Sequence, residues 1–249
     1  MADAAIDTTT RRAPLSVRRD SEIYATDGGW YKARWHFSFD RYVDPENMGI
    51  GTLRVFNHDT LVPGADWPMH PHRDVEGITY VPNGHFRHAD SLGNGGLLDA
   101  GAVQRMTLGS GANHSECNGS QTEPVEFIQM WIMPDTLSLP PGVEQKQYTE
   151  ADRHNRLLQI LRPVGTDGDG VTVHQDVRMF VSRLDPEREV SHVFGEGRGG
   201  YFYLIEGEIE LNGERLAPGD AAKVLGNGSI HVRALETSEL IFVDTPLYD

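Results

Sequence analysis

The chain is poor in cysteine: Cys117 is the single example in 249 residues. A lone thiol excludes an intramolecular disulfide and the thiolate-rich type of zinc site, and it fits a reducing compartment. Basic residues are scarce as well. Twenty-two Lys and Arg against 37 Asp and Glu leave a net charge of −15, which argues against a phosphate-backbone partner, because nucleic-acid binding needs a basic face to displace counterions. Long apolar runs are also missing. None approaches the roughly 18 residues of a membrane span, and the first thirty residues lack the apolar core of a signal peptide. The expectation is a soluble, cytoplasmic protein with no direct nucleic-acid partner and no membrane. The N-x-S/T matches at Asn113, Asn118 and Asn227 are then coincidental, since a glycan acceptor matters only in a secreted chain.

Glycine, by contrast, is abundant, at 27 residues, and it separates short apolar and β-branched runs such as GTLRVFN, GITYVPNG, GAVQRMTLG and VEFIQMWIMP. That rhythm predicts an antiparallel sandwich or barrel. Residues 135–156 are polar and proline-bearing without a sustained period, and read as a linker. After them the rhythm resumes and repeats itself. TYVPNGHF (79–86) aligns with FYLIEGEI (202–209), so that Gly84 falls on Gly207, and Gly101 likewise answers Gly219. The predicted organisation is an N-terminal arm (1–29), a first β-domain (30–134), the linker (135–156) and a second β-domain (157–249). The four arginines of RRAPLSVRR (11–19) read as part of a solvated arm.

Two histidines stand one residue apart in PMHPHRDVEG, His70 and His72, and GANHSECN places His114 and Glu116 at the same spacing. Alternate residues of a strand share a face, so each pair projects toward one point. Three imidazoles and a carboxylate suit a divalent first-row ion such as iron, manganese, nickel, copper or zinc. The remaining histidines, His36, His58, His85, His88, His154, His174, His192 and His231, have no partner at this spacing and read as surface or hydrogen-bonded core residues.

HPHRDVEGITYVPNG resembles the first cupin motif and GAVQRMTLGSGANHSE the second. With HFSFDRYVDPENMGIGTLRVFN, HADSLGNGG and FIQMWIMPD, they resemble the pirin family of bicupins, from about Trp30 to the C-terminus. The resemblance implies an all-β bicupin fold, two antiparallel β-sandwich or barrel domains of the cupin, jelly-roll kind set face to face. It implies one metal per chain, Fe(II), held by His70, His72, His114 and Glu116, with Glu76 behind the ligands. Two departures, Ala100-Gly101-Ala102 for Pro-Gly-Asp and Arg105 in the pocket wall, bear on substrate range.

In the second domain the positions matching His70 and His72 are Val193 and Gly195, and only His231 survives near the second motif; that domain is expected to carry no catalytic metal. The family includes bacterial members resembling quercetin 2,3-dioxygenase. The function implied is ring-opening 2,3-dioxygenation of a flavonol or another enolic or catecholic chelator by dioxygen at a mononuclear iron site, with Glu116 as the catalytic proton acceptor. An apolar lining is expected from Phe37, Val75, Met106, Ile128 and Met130. The alternative is an iron-dependent, redox-responsive regulatory protein that binds a protein partner without turnover; a non-redox isomerase is a third. Cys117, next to Glu116, is expected to point away from the metal as a buried residue.

Overall fold

In the computed structural model, which describes residues 11–248, the chain divides into two compact β-units. The first comprises residues 23–149 and 160–177. Its larger sheet has the order Gly142–Gln147, Ala102–Thr107, Glu76–Asn83, Val125–Ile132, Leu53–Leu61, Tyr31–Trp35, Tyr24–Asp27. A four-stranded sheet runs Asp66–His72, Ala112–Asn118, His85–Asp90, Gly95–Asp99, every pairing antiparallel. Glu76–Asn83 and Ala102–Thr107 are buried almost throughout because both flanks and both faces are covered, whereas His85–Asp90 alternates exposed and buried residues, as a half-buried strand does. Leu61, Val81, Val125 and Phe127 of the larger sheet pack with Phe86 and Leu98 of the smaller into one core.

The second unit comprises residues 11–22, 150–159 and 178–248. It repeats the layout, with a large sheet containing Leu15–Arg18, Ala221–Val224, Arg198–Glu206, Ser238–Pro246 and Arg178–Leu184 and a small one of Glu189–Phe194, Gly228–Ala234, Ile209–Leu211 and Glu214–Leu216. Its interior is closed by Phe194, Phe202, Leu204, Ile230 and Phe242.

The internal repeat has a backbone cause. Gly84 and Gly207 sit at φ of 84° and 81°, where L side chains rarely go. A Cβ would come within 2.7 Å of the Pro124 carbonyl oxygen at the first and within 2.3 Å of that of Thr237 at the second. Gly101 and Gly219 are a second matched pair: each donates its N–H across the turn, to Val81 and Leu204 respectively.

Three features depart from the sequence reading. Residues 135–156 contain the strand Gly142–Gln147, paired with Ala102–Thr107, and a single helical turn, Glu150–Arg153. The arginine-rich arm contains Leu15–Arg18, paired with Ala221–Val224 of the second unit. Residues 160–177 belong to the first unit, held there by the Arg105 Nε bond to the Thr172 carbonyl (2.8 Å) and by Glu144 Oε2, which accepts from Thr172 N and Oγ1. Arg105 is therefore a brace for that segment and lies outside the candidate site. Among the described residues no helix is long and apolar enough to cross a membrane.

Candidate metal centre

His70 and His72 lie on Asp66–His72, and His114 and Glu116 on the neighbouring Ala112–Asn118. Cross-strand pairs set their spacing: Ala112 faces His72, His114 faces His70, and Glu116 faces Trp67. The register shifts between His114 and Glu116, where Pro68 and Met69 form the longer side of a bulge. Proline brings no ladder N–H, so the bulge falls where the pairing loses least. The extra residue reverses the in–out alternation, and Trp67, His70 and His72 all turn inward.

The histidines converge. Their ligating nitrogens lie within 4.8 Å of one another, the ring centroids 4.6 to 5.1 Å apart. His70 Nδ1 is 2.8 Å from the Pro68 carbonyl. That oxygen only accepts, so the proton sits on Nδ1 and Nε2 is the free ligating atom. Burial, with a smaller contribution from neighbouring imidazoles, pushes His72 down to about 4 and His114 down to about 3, so both rings are neutral at physiological pH. His114 Nε2 is buried without a hydrogen-bond partner. Three converging imidazoles, two of them neutral and one with an unfilled lone pair, fit a divalent transition ion.

Glu116 stands outside this triangle, in the wall of the same cavity. Its Oε1 accepts from Gln129 Nε2 at 2.5 Å, and Gln129 Oε1 in turn accepts from Thr79 Oγ1 at 2.6 Å. The chain of bonds fixes which way the Gln129 amide points, and hence which carboxylate oxygen is tethered. Burial raises Glu116 to about 7. Asp59, in the same cavity, is raised well above the usual carboxylate range by burial and then by the charge of Glu116. The cavity measures about 130 Å³ and is lined by Trp35, Phe39, Trp67 and Trp131 together with Asn57, Asp59, Gln129, Glu116, His70 and His72.

None of the five residues expected to line it does so. Phe37 gives way to Trp35 and Phe39, two positions to either side, and Ile128 and Met130 to Gln129 and Trp131, one position away along the chain. Val75 and Met106 pack in a separate apolar cluster. Glu76 is likewise not behind the ligands: its carboxylate accepts from Thr107 Oγ1, His174 Nδ1 and the His174 backbone N–H, anchoring residues 160–177. Asn57, Asp59 and Gln129 were missed, although polar side chains inside LRVFNHDTL and VEFIQMWIMP are the signal that could have found them. Cys117 faces away, its Sγ 2.9 Å from Asp66 Oδ1, and burial and then Asp66 raise its pKa, so the thiolate is disfavoured. In the second unit His231 is 2.9 Å from Ser229 Oγ, and His192 is paired with Asp244.

Two cupin-type β-domains, the first carrying a histidine triangle over an aromatic cavity, define a bicupin with a candidate metal centre. A family model described as Pirin matches residues 17–132, and one described as Quercetinase C-terminal cupin domain matches 159–245. The chain is 38% identical over 223 residues to a pirin-like protein of Caulobacter vibrioides, covering 90% of this chain and 96% of that one. It is 34% identical over 233 residues to a quercetin 2,3-dioxygenase of Escherichia coli K12, covering 93% and 99%. The bacterial pirin YhhW of Escherichia coli, solved in complex with nickel(II), superposes with a TM-score of 0.87 at 31% identity, covering 94% of this chain and 100% of that one. The chain belongs to the pirin family.

Proposed function

We propose that the chain is an iron-dependent dioxygenase that opens an enolic ring of the flavonol type, with quercetin as the test substrate. The observation that carries this reading is the convergence of three imidazoles on one point beside a buried carboxyl poised at about 7. The relatives named for quercetin dioxygenation support the substrate class, and the nickel complex of a relative supports a divalent ion.

His70, His72 and His114 hold the ion, with Glu116 completing the set once it ionises. When bound, iron supplies a coordination site for a chelating enolate and the redox chemistry needed to use dioxygen. The protein's own part is proton handling and exclusion of water. Glu116, in its ionised form, accepts the hydroxyl proton as the substrate chelates, and a carboxyl with a pKa near neutrality both takes and returns a proton readily. Gln129 keeps Oε1 tethered, leaving Oε2 to act. Trp35, Phe39, Trp67 and Trp131 give the ring an apolar enclosure. The ion belongs to the first domain alone, because the second offers Val193 and Gly195 at the positions of His70 and His72.

The test is anaerobic reconstitution with Fe(II), followed by simultaneous recording of oxygen uptake and flavonol absorbance. Metal-free protein and His72→Ala serve as controls, and both are expected to be silent. Uptake equal to these controls with every metal tried would leave the redox-responsive regulator, which changes affinity for a protein partner and consumes nothing, as the better account.

A further inference from the structure

The size and polarity of the cavity narrow the substrate beyond the flavonol class, on the reading that this cavity is the reaction site. Its volume is about 130 Å³. A cavity of about 150 Å³ holds one benzene ring, whereas pockets for molecules of several rings run from about 300 to 1,000 Å³. A flavonol has three rings. The walls are aromatic on several sides and stand on paired strands: Trp35 and Asn57 are neighbours across one strand pair, and Asn57 and Gln129 across the next.

One wall carries an unmet requirement. Asn57 is 3% exposed, lines the cavity, and its Oδ1 has no hydrogen-bond partner. A buried amide oxygen left without a donor is costly, and it is satisfied cheaply by a ligand hydroxyl. Asp59 lies two residues along the same strand and faces the same cavity. Its carboxyl adds a second polar group to that wall, so the wall favours a hydroxylated ring over a bare hydrocarbon one.

We propose that the cavity is a one-ring pocket whose substrate is a small hydroxylated enol or catechol, with one hydroxyl donating to Asn57 Oδ1 and the ring enclosed by Trp35, Trp67 and Trp131. A flavonol reaches the ligands only with its remaining rings outside the cavity. Asn57 is then a specificity-determining residue.

Binding is measured by calorimetry, without turnover, on metal-free and on zinc-loaded protein. The probes are catechol, 3-hydroxy-4-pyranone (one ring with the chelating pair of a flavonol), toluene as a ring of similar size without hydroxyls, and quercetin. Both hydroxylated single rings are expected to bind the metal-free protein at least tenfold more tightly than toluene or quercetin. Asn57→Leu should erase the advantage over toluene, with far-UV circular dichroism and the unfolding midpoint reporting that the fold is kept. Trp131→Ala, which enlarges the cavity, should raise quercetin affinity at least tenfold. Quercetin binding as tightly as the single rings to wild-type protein would overturn the size argument, and an unchanged preference in Asn57→Leu would overturn the role of Asn57. If the binding pattern holds but oxygen uptake is absent with iron, the pocket assignment survives and the dioxygenase reading falls.

Discussion

In the proposed function Glu116 joins ion uptake to proton transfer, and burial alone brings it to about 7. His72 and His114 are already neutral well below that pH. Loading a divalent ion should therefore release more protons at pH 6 than near pH 8.5, because Glu116 holds a proton to give up at the first pH and has lost it by the second. Calorimetry in buffers of different ionisation enthalpy counts that proton; none released at pH 6 would remove Glu116 from the ligand set. Protonation of Glu116 by itself should accordingly lower affinity about tenfold per pH unit below 7. Glu116→Gln isolates the second role. The amide oxygen still coordinates, so much of the ion is retained, but an amide accepts no proton, and turnover should drop by about 10²- to 10⁴-fold. Full activity in this variant would place the base elsewhere, and Asp59, rather than the thrice-bonded Glu76, is the group the cavity offers.

At the scale of the strand, the bulge at Pro68–Met69 decides what faces the cavity. With a regular register Trp67 and the histidine pair would stand on opposite faces, because one residue of slip reverses every side chain. Deleting Met69 should consequently lower ion affinity at least tenfold while leaving the β-rich circular dichroism intact; unchanged ion content by elemental analysis would show that the strand absorbs the deletion. The histidine pairs were legible in the sequence because a strand brings x and x+2 to one face and little else explains such spacing. The aromatic lining was not. VEFIQMWIMP is apolar on both faces, so its period carries no sign of which face is the cavity, and the expected residues landed one position off. Gly142–Gln147 was hidden for a related reason: an edge strand pairs through its backbone and buries little, so GVEQKQ shows no apolar alternation.

For the whole molecule, the single histidine triangle among the described residues predicts one ion per chain. His70→Ala and His114→Ala should each abolish binding, whereas His231→Ala, whose ring is engaged with Ser229, should leave the stoichiometry unchanged; two equivalents by elemental analysis would refute this. Stability divides along the same line. Leu15 and Val17 pack against the second unit's core, and Arg19 is 2.8 Å from the buried carboxylate of Asp220. Removing residues 1–22 should lower the second unit's unfolding midpoint by roughly 5–10 °C, the scale of one or two kcal/mol in a domain this size. Ion content should not change, since the histidine triangle draws on none of those residues.

The pairing of Leu15–Arg18 with Ala221–Val224 also sets an order of events at the ribosome. At about 5–20 residues per second, the first of these strands emerges roughly ten to forty seconds before its partner exists. In that interval every strand of the histidine-bearing unit can be synthesised and paired, while the leading segment stays open as an unclaimed β-edge. The histidine-bearing unit is thus positioned to pair first, and Leu15–Arg18 is among the last strands to be secured.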